Sequence, residues 1–212
     1  MNIFSFFAGA GFLDLGFEMT GNFNVVYVNE FHKAFNDIYK FARKQMEMSS
    51  PKYGHHVEDV SILLSEDRIN LLKEQIEESK LQTVTGIIGG PPCPDFSVAG
   101  KNRGAEGKHG KLTKTYFDII CRCRPDFFVF ENVKGLVKTQ KHKLFYEEMQ
   151  RKLIANNYCL SNRLLNALSY GVPQYREREI MIGISSNLLA ELQIKANQEG
   201  YFDFPWDQYA TD

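Results

Sequence analysis

The chain has 212 residues, 43% of them hydrophobic and 24% charged, enough apolar material to bury a substantial core as one domain with room for an appendage. A net charge of −1 excludes a protein that coats nucleic acid through overall positive charge. No long apolar run, signal peptide or lipidation motif is present, so a cytosolic setting that keeps thiols reduced is expected, with no membrane partner.

Asn2 to Phe6 is a short apolar run that predicts a strand. Ala8 to Gly11 then forms a glycine turn before Phe12, Leu13, Leu15, Gly16 and Phe17, which repeat at helix spacing. Phe23 to Asn29 predicts the second strand, ending at Glu30, and a helix follows from about Phe31 to Lys44. Beyond a polar connection, His56 to Val60 is read as a short extended piece. His55 and His56, being adjacent, point to opposite sides of a strand and are read as ordinary polar residues. Ser65 to Ser79 carries Ile69, Leu72 and Ile76 on one face, an amphipathic surface helix. Val84 to Gly89 predicts a buried parallel strand, and Pro94 to Leu112, with four glycines and little periodicity, predicts a mobile lid. Thr113 to Cys123 is predicted as a helix, Phe127 to Phe130 as an apolar strand and Leu144 to Ala155 as a helix. Cys159 to Leu165 and Ile180 to Ile184 are predicted as a terminal pair of strands around the loop Ser169 to Arg178. Strands alternating with helices in this order argue an α/β fold with a doubly wound, mostly parallel sheet.

Four cysteines and five histidines form no Cys-x-x-Cys pair and no mutual ligand spacing, so no metal is expected. Cys121, Cys123 and Cys159 lie among apolar neighbours and read as core. Cys93 differs: it follows Gly89, Gly90, Pro91 and Pro92 at the carboxyl end of a strand, where two glycines allow a sharp turn and two prolines freeze φ. Open α/β sheets bind ligands at that edge, which makes Cys93 the leading candidate for a nucleophile over the alternative of a small buried hydrophobe. From Lys101 to Lys143 basic residues far outnumber acids, so positive potential collects after Cys93; a polyanion steered there and a merely solvated basic surface both fit.

Gly9, Gly11 and Gly16 do not form the dinucleotide fingerprint, but Glu30, about twenty residues beyond at the end of the second strand, lies where a ribose diol would sit. A helix N-terminal charge is the competing reading of Glu30. Asp59 follows the third strand at the level of an adenine edge, and an adenosyl ligand without phosphates fits this set better than a dinucleotide. At the other end, Glu131 and Asn132 close an apolar strand, and burial there would keep a carboxyl group protonated or sharing a proton with a ring nitrogen. A capping or salt-bridged Glu131 is the alternative. Arg176 and Arg178 lie two apart and share one face of an extended segment, suited to a carbonyl oxygen, a carboxylate or a phosphate, or to a surface ion-pair ladder with Glu177 and Glu179.

Taken in order, these residues resemble the catalytic domain of a DNA (cytosine-5) methyltransferase over nearly the whole chain. The family's Phe-x-Gly-x-Gly motif is matched by Phe7, Gly9 and Gly11, its ribose-binding acid by Asn29-Glu30, and its adenine-edge acid by Asp59-Val60. Pro92-Cys93 matches the nucleophile motif, with Phe96-Ser97 and Gly100-Lys101 at the family's spacing, and Glu131-Asn132-Val133 matches the Glu-Asn-Val motif. Gln174, Arg176 and Arg178 match Gln-x-Arg-x-Arg, preceded by Leu165-Asn166-Ala167 and Tyr170-Gly171-Val172-Pro173. Pro94 stands where many members have Gln, Phe12 replaces a second glycine, and Phe31 replaces a common Trp.

The resemblance implies a Rossmann-like S-adenosylmethionine-dependent fold and methyl transfer to C5 of cytosine in a specific sequence of double-stranded DNA, on a flipped base. Cys93, Glu131, Arg176 and Arg178 would be catalytic. Phe7, Ala8, Gly9, Gly11, Glu30, Phe31, Asp59, Val60 and Pro92 would bind S-adenosyl-L-methionine. Ser97, Lys101, Arg103 and Asn132 would meet DNA. Residues 1–200 are expected to form the catalytic and cofactor-binding domain, and 201–212, with Tyr201 to Trp206, to lead into a target-recognition region that the chain lacks, together with the family's last two motifs. A truncated piece, or one subunit completed by a second chain, is the expected status, with little turnover alone. The setting implied is a bacterial restriction-modification system, cytoplasmic and nucleoid-associated. A tRNA cytosine-5 methyltransferase and a non-catalytic cofactor- or DNA-binding subunit are the competing readings.

Overall fold

The computed structural model describes residues 1–92, 108–138, 140–208 and 210, without the side chains of 108, 109, 138 and 141. Two compact units are present, Met1–Pro91 with Thr115–Phe128, and Pro92–Lys114 with Val129–Asp212.

In the first unit, β1 (Asn2–Phe6) runs parallel to β2 (Asn24–Asn29) on one side and to β4 (Thr85–Gly89) on the other. The two-residue β3 (His55–His56) adds to β2, giving the order β3-β2-β1-β4. Parallel strands covered on both faces need apolar side chains on both, which is why these segments read as continuous apolar runs. Ile3, Phe4, Phe6, Ile87 and Ile88 are fully buried, each worth roughly 1.5–3 kcal/mol relative to exposure. α3 (Glu66–Lys80) turns Ile69, Leu72 and Ile76 inward as its spacing predicts, with Glu66 and Asp67 in its first turn and Lys80 in its last, both favourable to the helix dipole. Gly89, last in β4, is required by packing: a Cβ there would lie 2.8 Å from the Phe6 carbonyl oxygen and 2.9 Å from the Tyr116 ring.

α1 (Phe12–Glu18) and α2 (Lys33–Gln45) have the helical spacing expected but bury the opposite stripe. Asp14 is the buried residue of α1, and Asn36, Tyr39 and Arg43 those of α2, whereas Phe12 is 82% and Phe41 66% exposed. The extended piece expected at His56 to Val60 is shorter. The strand ends at His56, and Val60–Leu64 form a 3-10 turn because the Asp59 carboxylate accepts the Ser61 amide at 2.9 Å and holds the chain in a tight bend.

The second unit has the strand order β5-β7-β6. β5 (Phe127–Val133) starts in the first unit and continues through Glu131 and Asn132, beyond the apolar run that marks it in the sequence. β7 (Glu177–Ser185) and β6 (Tyr158–Asn166) pair antiparallel, from Tyr158 opposite Ser185 to Asn166 opposite Glu177, so Arg178 belongs to a strand rather than to the loop expected there. α4 (Lys108–Cys123) starts at Lys108, so the last five residues of the expected lid are helical; burial of Gly110 and Thr113 outweighs the weak helix propensity of glycine. α5 (Gly135–Lys138), α6 (Gln140–Ala155) and α7 (Ser186–Glu191) complete the unit. Cys121, Cys123 and Cys159 are buried and belong to no disulfide among the described residues. Toward the carboxyl end, Tyr201 bridges to Leu160 and the Trp206 indole donates to Ser161 Oγ at 3.1 Å. Among the described residues no helix is long and apolar enough to cross a membrane.

Candidate active site

The glycine turn after β1 is assembled from positive-φ residues: Phe7 at 55°, Gly9 at 55° and Gly11 at 89°. A side chain at Phe7 adopts this conformation only at a cost, of the kind that collects at ligand sites. At Gly9 a Cβ would meet nothing within 4 Å, so the turn opens onto free space. Glu30 reaches back across it. Its Oε2 accepts the Gly9 amide at 2.8 Å and its Oε1 accepts the His32 amide at 2.7 Å. The residue is only 7% exposed, so two backbone donors hold a buried carboxylate in one orientation, and each oxygen keeps a lone pair for a hydroxyl donor. Ala8 is fixed by its own amide to the Asn29 carbonyl at 3.2 Å, and Gly11 N–H bonds the Ala8 carbonyl at 2.9 Å. Phe31 is 57% exposed and presents an aromatic face beside Glu30. Val60 is buried, and Asp59 spends its Oδ1 on the Ser61 amide and hydroxyl.

Beneath the turn lies a buried network whose role the sequence does not reveal. Asp14 Oδ1 accepts from Ser5 Oγ at 2.7 Å and Oδ2 from Tyr39 OH at 2.8 Å. Burial raises the Asp14 carboxyl to about 6, against the lowering by those two hydrogen bonds. Arg43 Nη1 donates to Tyr39 OH at 3.1 Å and its guanidinium grips both oxygens of Glu18. The Tyr39 ring presses on Gly11, where a Cβ would lie 2.4 Å from it. β1, the turn, α1 and α2 are thereby tied through three side chains.

In the second unit, Arg178 Nε lies 2.9 Å and Arg176 Nη2 3.7 Å from the same Oε1 of Glu131. The two-residue spacing does place both guanidinium groups on one side, and Glu131 is ion-paired. Arg178 Nη1 also donates to the Glu177 carbonyl at 2.8 Å, while Lys134 pairs with the Glu177 carboxylate. Asn166 Oδ1 accepts the Arg176 amide at 3.1 Å and the Leu168 amide at 3.2 Å, pinning the backbone that carries the arginines. Asn132 is buried, its Oδ1 accepting the Val133 amide at 2.8 Å. A cavity of about 360 Å³ is lined by Val133, Lys134, Gly135 and Gln174 to Arg178. Its walls offer three cations and hydrogen-bond donors in a fork geometry suited to a carbonyl or phosphate oxygen.

Pro92 is exposed at the end of the first described stretch, and Cys93, Ser97, Lys101 and Arg103 lie outside the described residues. Among the described residues no cluster of His, Cys, Asp or Glu is placed to hold a metal ion.

A family profile described as C-5 cytosine-specific DNA methylase matches residues 1–211. The type II methyltransferase M.NmeDI of Neisseria meningitidis serogroup C is 47% identical over 204 residues, which cover 96% of this chain and 48% of that protein. M.MthTI of Methanothermobacter thermautotrophicus, another type II methyltransferase, is 36% identical over 89% of this chain and 50% of its own length. The chain thus spans about half the length of these curated relatives. The solved structure of Spodoptera frugiperda DNMT2 superposes with a TM-score of 0.63 at 20% identity, over 88% of this chain and 50% of that one, a likeness of fold.

Proposed function

The chain belongs to the C-5 cytosine-specific DNA methylase family, and on that footing we propose that the whole protein methylates C5 of cytosine within a specific sequence of double-stranded DNA. The observation that carries this reading is Glu131 held by Arg178 and Arg176, two arginines that also line a cavity with Lys134 and Glu177. When bound, S-adenosyl-L-methionine supplies an electrophilic methyl group on a sulfonium. The residues of the glycine turn fit it: Glu30 offers lone pairs to a ribose diol, Gly9 leaves room, and Phe7, Ala8, Gly11, Phe31, Asp59, Val60 and Pro92 complete the set.

Cytosine C5 is not nucleophilic until electrons enter the ring, so the Cys93 thiolate adds to C6 and turns C5 into an enamine-like carbon. Glu131 hydrogen-bonds ring N3 and the exocyclic amine, stabilising the protonated adduct. Arg178 holds O2, and Arg176 supports Cys93 and the lid. After C5 gains its substituent, solvent water takes the C5 proton as the C6–S bond breaks, and departure of the Cys93 thiolate restores the aromatic ring. The base must leave the stack to reach these groups, and Ser97, Lys101 and Arg103 hold the strand around it, whereas Asn132, expected to meet DNA, is buried and acts on the backbone beside Glu131 instead.

Residues 1–200 form the catalytic and cofactor-binding domain in this reading, and 201–212 lead toward target recognition. The rest of the enzyme, on a continuation or a second chain, covers the apolar stripe of α1 and α2, whose exposure supports the existence of such a cover. The setting is the cytoplasm of a bacterium carrying a restriction-modification system. Incubation of the complete enzyme with labelled S-adenosylmethionine and DNA tests the proposal: label in cytosine C5 of DNA supports it, and transfer to RNA in preference to DNA overturns it.

A further inference from the structure

On the first unit, at the carboxyl end of α2, lies a second cavity of about 470 Å³ that shares no lining residue with the glycine turn or Glu30. Lys40, Arg43 and Lys44 wall it from the helix, Ser49 and Ser50 from the loop that follows, and His55 from β3. The loop is held in place from within. Met48 N–H bonds the Arg43 carbonyl and Arg43 Nη2 donates to the Ser49 carbonyl, both at 3.0 Å. The rim is therefore a fixed feature of the fold.

Three buried side-chain nitrogen or oxygen atoms lack a hydrogen-bond partner among the described residues, and two of them, Arg43 Nε and His55 Nδ1, belong to walls of this one cavity. A buried polar atom left unpaired costs about 1–3 kcal/mol; Arg43 Nε is a donor, and His55 Nδ1 becomes one when the ring is protonated, so an acceptor suits both. The charges agree. Arg43 is neutralised by Glu18 on its far side, which leaves Lys40 and Lys44 against the single carboxylate of Glu47. Lys40 and Lys44 stand one helical turn apart, a like-charge pair that an anion would relieve. Around His55 the neighbours are the Tyr39 ring at 5.3 Å, edge-on, with Lys40, Arg43 and His56. Burial and those cations hold the imidazole down at about 4, so a bound anion would draw a proton onto it.

We propose that this cavity binds a phosphate oxyanion, gripped by Lys40 and Lys44, with Arg43 Nε and His55 as inner donors and the Ser49 and Ser50 hydroxyls at the rim. The group is either free phosphate or a phosphate of a DNA backbone. It sits apart from the methyl-transfer groups, so its test is independent of that chemistry.

The experiment is NMR titration of the 212-residue chain, following the His55 ring resonances at neutral pH and constant ionic strength. Inorganic phosphate is expected to produce a saturable shift, with a Kd on the order of 1 mM, and to move the His55 titration upward. The exposed pair Lys40→Ala and Lys44→Ala should weaken that Kd by about tenfold or more while leaving the fold intact. A short DNA duplex that reproduces the shift, displaceable by phosphate, assigns the oxyanion to the backbone. A duplex without effect leaves free phosphate as the ligand. No saturable shift, an equal response to chloride, or an unchanged Kd in the double-lysine variant overturns the site. Because the measurement uses neither S-adenosylmethionine nor cytosine, its failure leaves the methyl-transfer reading standing.

Discussion

Two carboxylates, Glu30 just beyond β2 in the first unit and Glu131 within β5 in the second, are held in opposite ways. Glu30 is gripped by two main-chain amides, whose positions follow from the turn and the start of α2, so no single side chain can be removed to release it. Among the described residues Glu131 is gripped by side chains, Arg178 at 2.9 Å and Arg176 at 3.7 Å, and its own side chain is 26% exposed. A backbone cradle gives a fixed acceptor that keeps its orientation whether or not a ligand is present. A side-chain clamp can exchange partners, which suits the role proposed for Glu131, passing from an arginine to a pyrimidine nitrogen as the base arrives.

If that contrast is right, the largest effect comes from the exchangeable acid. Glu131→Gln in the complete enzyme should lower kcat by about 10³-fold with a much smaller change in the Km for S-adenosylmethionine, as expected for a lost general-acid contact. A change confined to that Km would contradict the assignment. Next comes the acid under the glycine turn. Asp14 has its folded value raised from 3.8 to about 6. The folded state therefore holds the proton more tightly than the unfolded one. The stability this contributes is complete below about pH 4 and is lost as pH rises through 6, on the order of 3 kcal/mol in all. Denaturant unfolding between pH 4 and 8 should show that fall in the parent chain and a flatter profile in Asp14→Asn. Parallel profiles would remove Asp14 as its source.

Glu30→Gln should raise the Kd for S-adenosylmethionine in the complete enzyme by roughly tenfold, measured calorimetrically, because an amide in that cradle turns one acceptor into a donor facing the Gly9 or His32 amide. The smallest effect is at the outer guanidinium. Arg176→Ala removes a 3.7 Å contact from a half-exposed side chain and should cost less than about 1 kcal/mol of unfolding free energy. A loss as large as that of Arg178→Ala would mean that the two arginines form one inseparable clamp.

The legibility of the molecule follows the same division. β1, β2 and β4 stand out because strands buried on both faces must be apolar throughout, and the Gly9-to-Glu30 contact spans a separation that the strand-turn-helix-strand order makes short. α3 is legible in facing as well as in length, whereas α1 and α2 are legible in length alone. Phe12, Leu15, Phe35 and Ile38 recur at helical spacing, yet the stripes turned inward carry Asn36 and the hydrogen-bonded set Asp14, Tyr39 and Arg43, polar residues that an apolar period does not mark. Polar strand ends are hidden for a related reason. Glu131, Asn132, Glu177 and Arg178 continue β5 and β7 where the apolar run stops, because ladder hydrogen bonds extend a strand regardless of what its side chains face. Asn166 is visible as part of a motif, but its grip on the Arg176 amide required coordinates.

The central claim is covalent attack on a flipped cytosine by Cys93. The complete enzyme, incubated with S-adenosylmethionine and a duplex carrying 5-fluorocytosine at the target position, should form a stable protein–DNA adduct, since fluorine at C5 cannot leave as a proton does. Peptide mapping should place the linkage on Cys93, and Cys93→Ser should abolish it. An adduct that persists in Cys93→Ser, or that maps to another residue, would contradict the account.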